Sequence, residues 1–282
     1  MMRAHPEATP IMDQLSTLGP RLAIGGTGEL FGWDEGRVLK LYWHGAAVDA
    51  AEREAERTRA AHAAGAPAPR VFDVVTVDDR PGVVFERVEG PSMLQAIGDD
   101  PGKAELFAQQ LAALHAQVHA HAGAGLPPQR EHLIRRINLG PLPARNKPLV
   151  LAAMRRLPDG EALCHGDFHP GNVLMTKAGP RIIDWFDATA GDPGADFART
   201  CLLLQYSRLP GSANASAHRV MEALRERFLD AYIERYRALR PGTAETLVEW
   251  FLPVAGARVA EPIPAQERTT LLRVIDSLVP QA

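Results

Sequence analysis

Three oxygen-bearing side chains, Asp167, Asn172 and Asp184, stand in a short stretch of the chain that cannot be regular helix. They lie in Cys164-His165-Gly166-Asp167-Phe168-His169-Pro170-Gly171-Asn172-Val173-Leu174 and at the end of the apolar run Arg181-Ile182-Ile183-Asp184. Asp167 and Asn172 are five apart (172 − 167), and Asp184 lies 17 beyond Asp167 (184 − 167). Pro170-Gly171 breaks any helix, so the polar groups sit on a constrained loop beside short strands and can converge. A carboxylate and an amide oxygen, Asp184 and Asn172, are the hard donors a magnesium ion takes when it keeps several waters. The remaining carboxylate, Asp167, can accept or orient the proton of an attacking hydroxyl. That division of labour suits phosphoryl transfer, in which catalysis is mainly positioning and charge compensation.

A cation stands far upstream. Val38-Leu39-Lys40-Leu41-Tyr42 puts one lysine inside an otherwise apolar strand. A lysine there is costly unless paired, so the pattern asks for an anionic partner. Glu52, Glu54 and Glu56 all lie on the helix expected next. Before the lysine comes Ile24-Gly25-Gly26-Thr27-Gly28-Glu29-Leu30, whose glycines allow backbone N–H groups to approach phosphate oxygens.

Together these residues resemble the protein-kinase-like superfamily. His165-Gly166-Asp167 with Asn172 is similar to its catalytic loop, His-Arg-Asp with Asn at the same offset. The full wording from His165 to Leu174 looks like the aminoglycoside phosphotransferase and choline-kinase branch, which phosphorylates small molecules. Ile183-Asp184-Trp185 resembles that branch's magnesium-binding aspartate. The resemblance implies ATP and Mg2+ as cofactors, Asp167 as the catalytic residue, and Asn172 and Asp184 as metal ligands. It also implies that Lys40 meets the α- and β-phosphates and pairs with Glu54, Glu56 being second choice. Gly25, Gly26, Thr27 and Gly28 would cover the nucleotide, and backbone groups near Glu86 and Val88 would meet adenine. Two departures matter: Phe31 stands where a third glycine would complete Gly-x-Gly-x-x-Gly, and no segment ends in Ala-Pro-Glu. Both argue against a protein substrate and leave the transfer chemistry intact. The resemblance covers roughly residues 21–199.

The elements that must hold these residues follow from periodicity and turn residues. Strands are expected over 21–24, 30–33, 37–42, 71–77 and 83–88, with a helix over 46–64 ended by Gly65, Pro67 and Pro69. A short helix is expected near 11–18. After residue 92 the pattern turns helical: 103–121, 196–206, 215–239, 244–260 and 267–278, with short strands at 172–175 and 181–183. The Pro- and Arg-rich stretch 126–147 reads as loop. The predicted class is α+β: a protein-kinase-like two-lobed fold, with a small antiparallel-sheet N-lobe carrying one helix (1–88) and a larger, mainly helical C-lobe (89–282). Asp196 reads as structural, capping its helix or bracing the catalytic loop. His115, His119, Trp43, Trp185 and Trp250 read as packing residues and His165 as a loop brace.

The chain has 282 residues, a formal charge of −3 and two cysteines, Cys164 and Cys201. That excludes a disulfide scaffold and a Cys-based metal site, and gives no basis for nucleic-acid binding. No stretch is apolar enough to span a membrane, and the N-terminus lacks a signal-peptide core, so a soluble cytoplasmic protein is expected. Nothing in the sequence specifies an oligomeric state. The expected partner is a small hydroxylated acceptor, an amino alcohol or sugar-like metabolite. From Cys201 onward nine Asp and Glu face ten Arg, which does not favour a polycationic aminoglycoside. That antibiotic acceptor is the alternative, with Asp187, Asp192, Glu249 and Glu261 as its candidate carboxylates. A non-catalytic nucleotide-binding module is the rival from another class.

Overall fold

The computed structural model describes residues 11–12, 18–47, 49–207 and 215–279. Its N-terminal part is built on one sheet: β1 (Ile11–Met12), β2 (Arg21–Ile24), β3 (Gly28–Asp34), β4 (Arg37–Tyr42), β5 (Val71–Val77) and β6 (Arg80–Glu86). The spatial order is β1-β5-β6-β4-β3-β2, antiparallel throughout except for β1 against β5. The short helix expected near 11–18 is not what forms at its start. Ile11 and Met12 pair with Thr76 and Val77, because the edge of β5 offers unpaired backbone groups; residues 13–17 lie outside the described residues.

Strand alternation decides where the lysine goes. In β4 the side chains of Val38 and Tyr42 pack with Ala51, Ala55, Val83 and Phe85 on the face covered by α1 (Ala50–Ala63). Leu39 and Leu41 pack with Val75, Val77 and Val84 on the other face. Lys40, two residues from both Val38 and Tyr42, therefore shares the helix-covered face.

The C-terminal part is mainly helical. It contains α2 (Met93–Asp99), α3 (Ala104–Val118), α4 (Gln129–Leu139), α5 (Asn146–Met154), α6 (Pro193–Tyr206), α7 (Ala215–Leu239), α8 (Pro241–Glu245), α9 (Leu247–Arg258) and α10 (Ala265–Leu278). Two small antiparallel ladders interrupt it: β7 (Ala162–Cys164) with β10 (Thr189–Gly191), and β8 (Val173–Thr176) with β9 (Gly179–Ile182). No described helix is long and apolar enough to cross a membrane.

The stretch 126–147 is not loop but α4 and the start of α5. Its arginines hid the helix. Leu133, Ile134 and Ile137 face a core, while Arg130 and Arg136 are held by Asp159, Asp187 and backbone carbonyls instead of water. The helix expected over 244–260 breaks at Thr246, whose hydroxyl donates to the Thr243 carbonyl between α8 and α9. Helix α2 falls where the pattern gives no expected helix. Its capping box, Ser92 with Gln95, is present in both directions (Ser92 N–H to Gln95 Oε1 2.8 Å, Gln95 N–H to Ser92 Oγ 3.1 Å).

Candidate functional site

Lys40 is the hub between the two lobes. Its Nζ lies 2.8 Å from one carboxylate oxygen of Glu54 and 3.1 Å from Oδ1 of Asp184, a residue 144 positions away. Helical spacing selects Glu54: it is buried with Ala51, Ala55, Thr58 and Ala61 on one face of α1, whereas Glu52 and Glu56 are exposed. The Tyr42 hydroxyl donates to that same oxygen, Oε2, and Lys40 Nζ also reaches Oε1 at 2.9 Å. Burial alone would lower the Lys40 pKa, but the charges of Glu54 and Asp184 override it and keep the ammonium above its ordinary value.

Asp184 occupies the left-handed region, φ 63° and ψ 61°. Aspartate is one of the few non-glycine residues to tolerate that conformation. Both following side chains hold it there. Trp185 is fully buried and donates its indole N–H to Ile182 O at 2.9 Å, while Phe186 packs across to Tyr42 and offers its carbonyl to Arg57 of α1. Asn172 stands across the β8–β9 ladder, where its carbonyl accepts the Ile183 N–H at 2.9 Å. Its Nδ2 donates to the Asp167 carbonyl at 2.9 Å, which commits the amide nitrogen to the loop and leaves the oxygen available as a ligand atom.

Asp167 is fixed from behind by a buried network. Asp196 on α6 accepts the N–H groups of His165 (2.6 Å) and Gly166 (2.8 Å), and the Nε2–H of both His115 and His119 (3.2 Å each). The two histidines, His115 in the last turn of α3 and His119 capping its C-terminus, accept in turn from the hydroxyls of Tyr232 (2.6 Å) and Tyr236 (2.7 Å), one turn apart on α7. Burial would raise the Asp196 carboxyl, but the hydrogen bonds from His115 and His119 hold it well below the usual range. Burial pushes the His115 imidazole down to about 3, so it stays neutral. The set His115, His119 and Asp196 is compact enough to suggest a metal ion, yet every one of these ring nitrogens and both carboxylate oxygens already has a hydrogen-bond partner. It is a brace, as expected of Asp196. The N-cap of α6 is instead Asp192, which accepts from Gly194 N–H at 2.7 Å. His165 also braces: its Nδ1 accepts the Asp167 N–H at 3.2 Å and its Nε2 meets Ile183 O at 3.1 Å. Gly166 has φ 82°, and a Cβ there would lie 2.4 Å from the Asp187 carbonyl, so no larger residue fits this loop.

At its tip, Asp167 Oδ1 accepts from Arg199 at 3.2 Å, and His169 Nε2 lies 3.6 Å from Oδ2. Burial would raise this carboxyl, but His169 and Arg199 hold it well below the usual range. Asp167 is therefore ionised throughout the physiological range. It is suited to orienting a hydroxyl and a weak base for removing its proton early.

The expected nucleotide residues line one cavity of about 730 Å³ between the lobes: Gly25, Gly26, Thr27, Gly28, Lys40, Glu54, Glu86, Val88 and Asp184 all border it. Asp167 does not. It borders a second cavity of about 360 Å³, and Gly171 is common to both. Gly28 has a structural reason of its own, since a Cβ would sit 2.3 Å from the Leu41 carbonyl across the β3–β4 ladder. Gly26 has no such neighbour, and its carbonyl accepts from the indole of Trp43 at 3.2 Å. Trp43 is thus no core residue, unlike Trp185 and Trp250. The side chain of Glu86 is engaged with Arg181 (2.8 and 3.1 Å) and the Arg70 N–H. The N–H groups of Glu86 and Arg87 go to the Arg70 and Gly36 carbonyls, whereas that of Val88 meets no acceptor among the described residues.

Arg181, Arg199 and Arg136 were not singled out in the sequence. Arg181 on β9 ties the C-lobe to Glu86 and to the carbonyls of Pro67 and Ala68. Arg199, Arg136 and Arg258 converge on the carboxylate of Glu261 beside the catalytic loop. Only the run of arginines in α4 hinted at this, and it reads equally as a solvated face.

Known proteins share this fold. The profile of the phosphotransferase enzyme family matches residues 30–246. A thiamine kinase of Salmonella paratyphi A is 35% identical over 107 residues, and the chain spans only 36% of the length of that curated relative and 32% of its own. Among solved structures, the aminoglycoside phosphotransferase APH(4)-Ia superposes with a TM-score of 0.65 at 17% identity, covering 93% of each chain. A choline/ethanolamine kinase family protein from Mesorhizobium loti does so with a TM-score of 0.58 at 19% identity, covering 92% of this chain and 88% of that one. At such identities these two likenesses speak to the fold, while the family match extends over most of the chain. By that match, this chain belongs to the phosphotransferase enzyme family.

Proposed function

We propose that the protein is an ATP- and magnesium-dependent kinase of a small hydroxylated molecule. The observation that carries this reading is the contact of Lys40 with both Glu54 and Asp184 in the interlobe cavity, with Asp167 facing an adjoining cavity across Gly171. The donors fit the group they would hold. Asp184 and Asn172 supply the hard oxygens magnesium takes, Lys40 is a charged ammonium for phosphate, and a cavity of about 730 Å³ is in the range of nucleotide sites. Magnesium ATP, when bound, supplies the phosphoryl group and the charge that offsets its transfer.

In this reading Lys40 holds the phosphates, and Glu54 keeps the lysine in place. The Gly25–Gly28 turn covers them with backbone N–H groups. Val88 offers a free N–H to the base, and the part assigned to Glu86 falls on its backbone, because its side chain is occupied by Arg181. Asp167 accepts a hydrogen bond from the acceptor hydroxyl and aims its oxygen. A carboxylate of such low basicity takes the proton late, as suits a loose transition state in which the nucleophile is little deprotonated. The proposal divides the chain into an N-lobe over 1–88 and a C-lobe over 89–282, and places the reaction in the cytoplasm, where ATP is supplied. Magnesium-dependent ADP release across a panel of hydroxylated amines, sugars and antibiotics tests it. Tight ATP binding without transfer to any acceptor would overturn it in favour of a binding module.

A further inference from the structure

The cavity beside Asp167 has a chemistry of its own. Leu94 and Ile97 of α2, Leu203 and Leu204 of α6, and Leu224 and Phe228 of α7 make walls that are mostly apolar. The charges bordering it are Asp167, Arg225 and Arg258, with His169 beside Asp167. Arg258 is already neutralised by Glu267 (2.9 and 3.0 Å) and Glu261. Arg225 donates to two backbone carbonyls, those of Gln205 and Ser207, and the carboxylate of Glu222 comes only within 3.9 Å. It contributes a positive charge, offset only by that longer contact with Glu222, to a wall that is mostly hydrocarbon.

A polycationic acceptor needs carboxylates, and among the described residues only one borders this cavity, the one that would orient the hydroxyl. The four acidic residues that could have served are spent or elsewhere. Asp187 is paired with Arg136, Asp192 caps α6, Glu261 is shared by three arginines, and Glu249 does not border the cavity. Nor can residues 208–218, which follow the bordering Ser207, supply one: they contain no Asp or Glu.

Resting on the reading of Asp167 given above, we propose that the acceptor is an amphipathic alcohol with an apolar body and an anionic group, its hydroxyl at Asp167 and its anion at Arg225. Binding falls about fourfold for each methylene removed from the body, the usual worth of one buried CH2 group. An ammonium in place of the anion costs about tenfold or more in a site of low dielectric.

The test is calorimetric titration of the protein, saturated with magnesium and a non-hydrolysable ATP analogue. The probes are ω-hydroxyoctanoate, ω-hydroxybutyrate and the amino alcohol matching the octanoate in length. The octanoate should bind tightest. Arg225→Glu should reverse the preference between carboxylate and ammonium. Leu94→Glu, at a position 52% exposed where the fold is not at risk, should weaken the octanoate and favour the amino alcohol. Nucleotide binding in the other cavity reports that each variant is folded. Tighter binding of the amino alcohol, indifference to chain length, or no binding of the octanoate at millimolar concentration overturns the proposal. Phosphoryl transfer is read separately as ADP release: the predicted ranking without transfer sinks the kinase reading and upholds the cavity assignment.

Discussion

The two cavities that meet at Gly171 are built on opposite plans. The interlobe cavity is polar where it matters, and its charges answer one another across long sequence distances: Lys40 between Glu54 and Asp184, Arg181 on Glu86. The cavity beside Asp167 is walled mostly by apolar side chains from α2, α6 and α7. In the proposed function, a triphosphate and its metal present the same charges whatever the second substrate is, so the first cavity must be specific in electrostatics. The second need only match the shape and charge of one acceptor, which helical side chains can do in many ways.

That contrast can be broken most severely at the point where the cavities meet. Asp167→Ala should lower ADP release by about 10³-fold or more while nucleotide affinity changes little, because Asp167 borders only the second cavity. A parallel loss of nucleotide binding would mean the cavities are not separate. Next in size, Asp196→Asn should destabilise the protein by about 3–5 kcal/mol in chemical denaturation, since the amide keeps one acceptor oxygen and must turn its NH2 toward N–H groups already aimed at the carboxylate. A change under about 1 kcal/mol would remove the brace from the account.

Acid should expose the same buried network more gently. The folded state holds His115, and also His132, at about 3, chiefly through burial. In the unfolded chain a histidine takes up its proton near pH 6.5. Between those values the unfolded state binds more protons, so stability falls as pH falls below about 6.5, by up to about 1.4 kcal/mol per pH unit for each histidine. Denaturation midpoints that stay flat from neutral pH to pH 5 would contradict it. On the nucleotide side, Glu54→Gln should raise the KM for ATP about tenfold, since it loosens Lys40 without removing it. Glu56→Gln, on the exposed face of the same helix, should leave both KM and stability within about 0.5 kcal/mol of the parent.

Much of the nucleotide half was readable because strands, glycines and prolines constrain the backbone locally. The alternation in β4 and the break at Pro170-Gly171 point their polar residues in known directions. The choice of Glu54 rested on resemblance, although the Ala51, Ala55, Thr58, Ala61 stripe would have made it from periodicity alone. Over 126–147 charge was mistaken for exposure. Arg130 and Arg136 look like solvent residues in α4, yet end on carboxylates and carbonyls from other elements. For α2 the signal was present in Ser92 and Gln95 and went unread.

From its residues alone the chain marked out which groups could carry chemistry. A lone lysine in an apolar strand and three oxygen donors on broken backbone cost too much, as buried polar groups, to be there for packing. The tertiary structure decided everything that depends on distant helices meeting. It set Asp196 beneath the loop that carries Asp167, drew Tyr232 and Tyr236 onto His115 and His119, and gave Asp167 a mostly apolar neighbouring cavity with Arg225 on its wall. Helical residues carry a period but no address. A period tells which side is buried, and only packing tells against what.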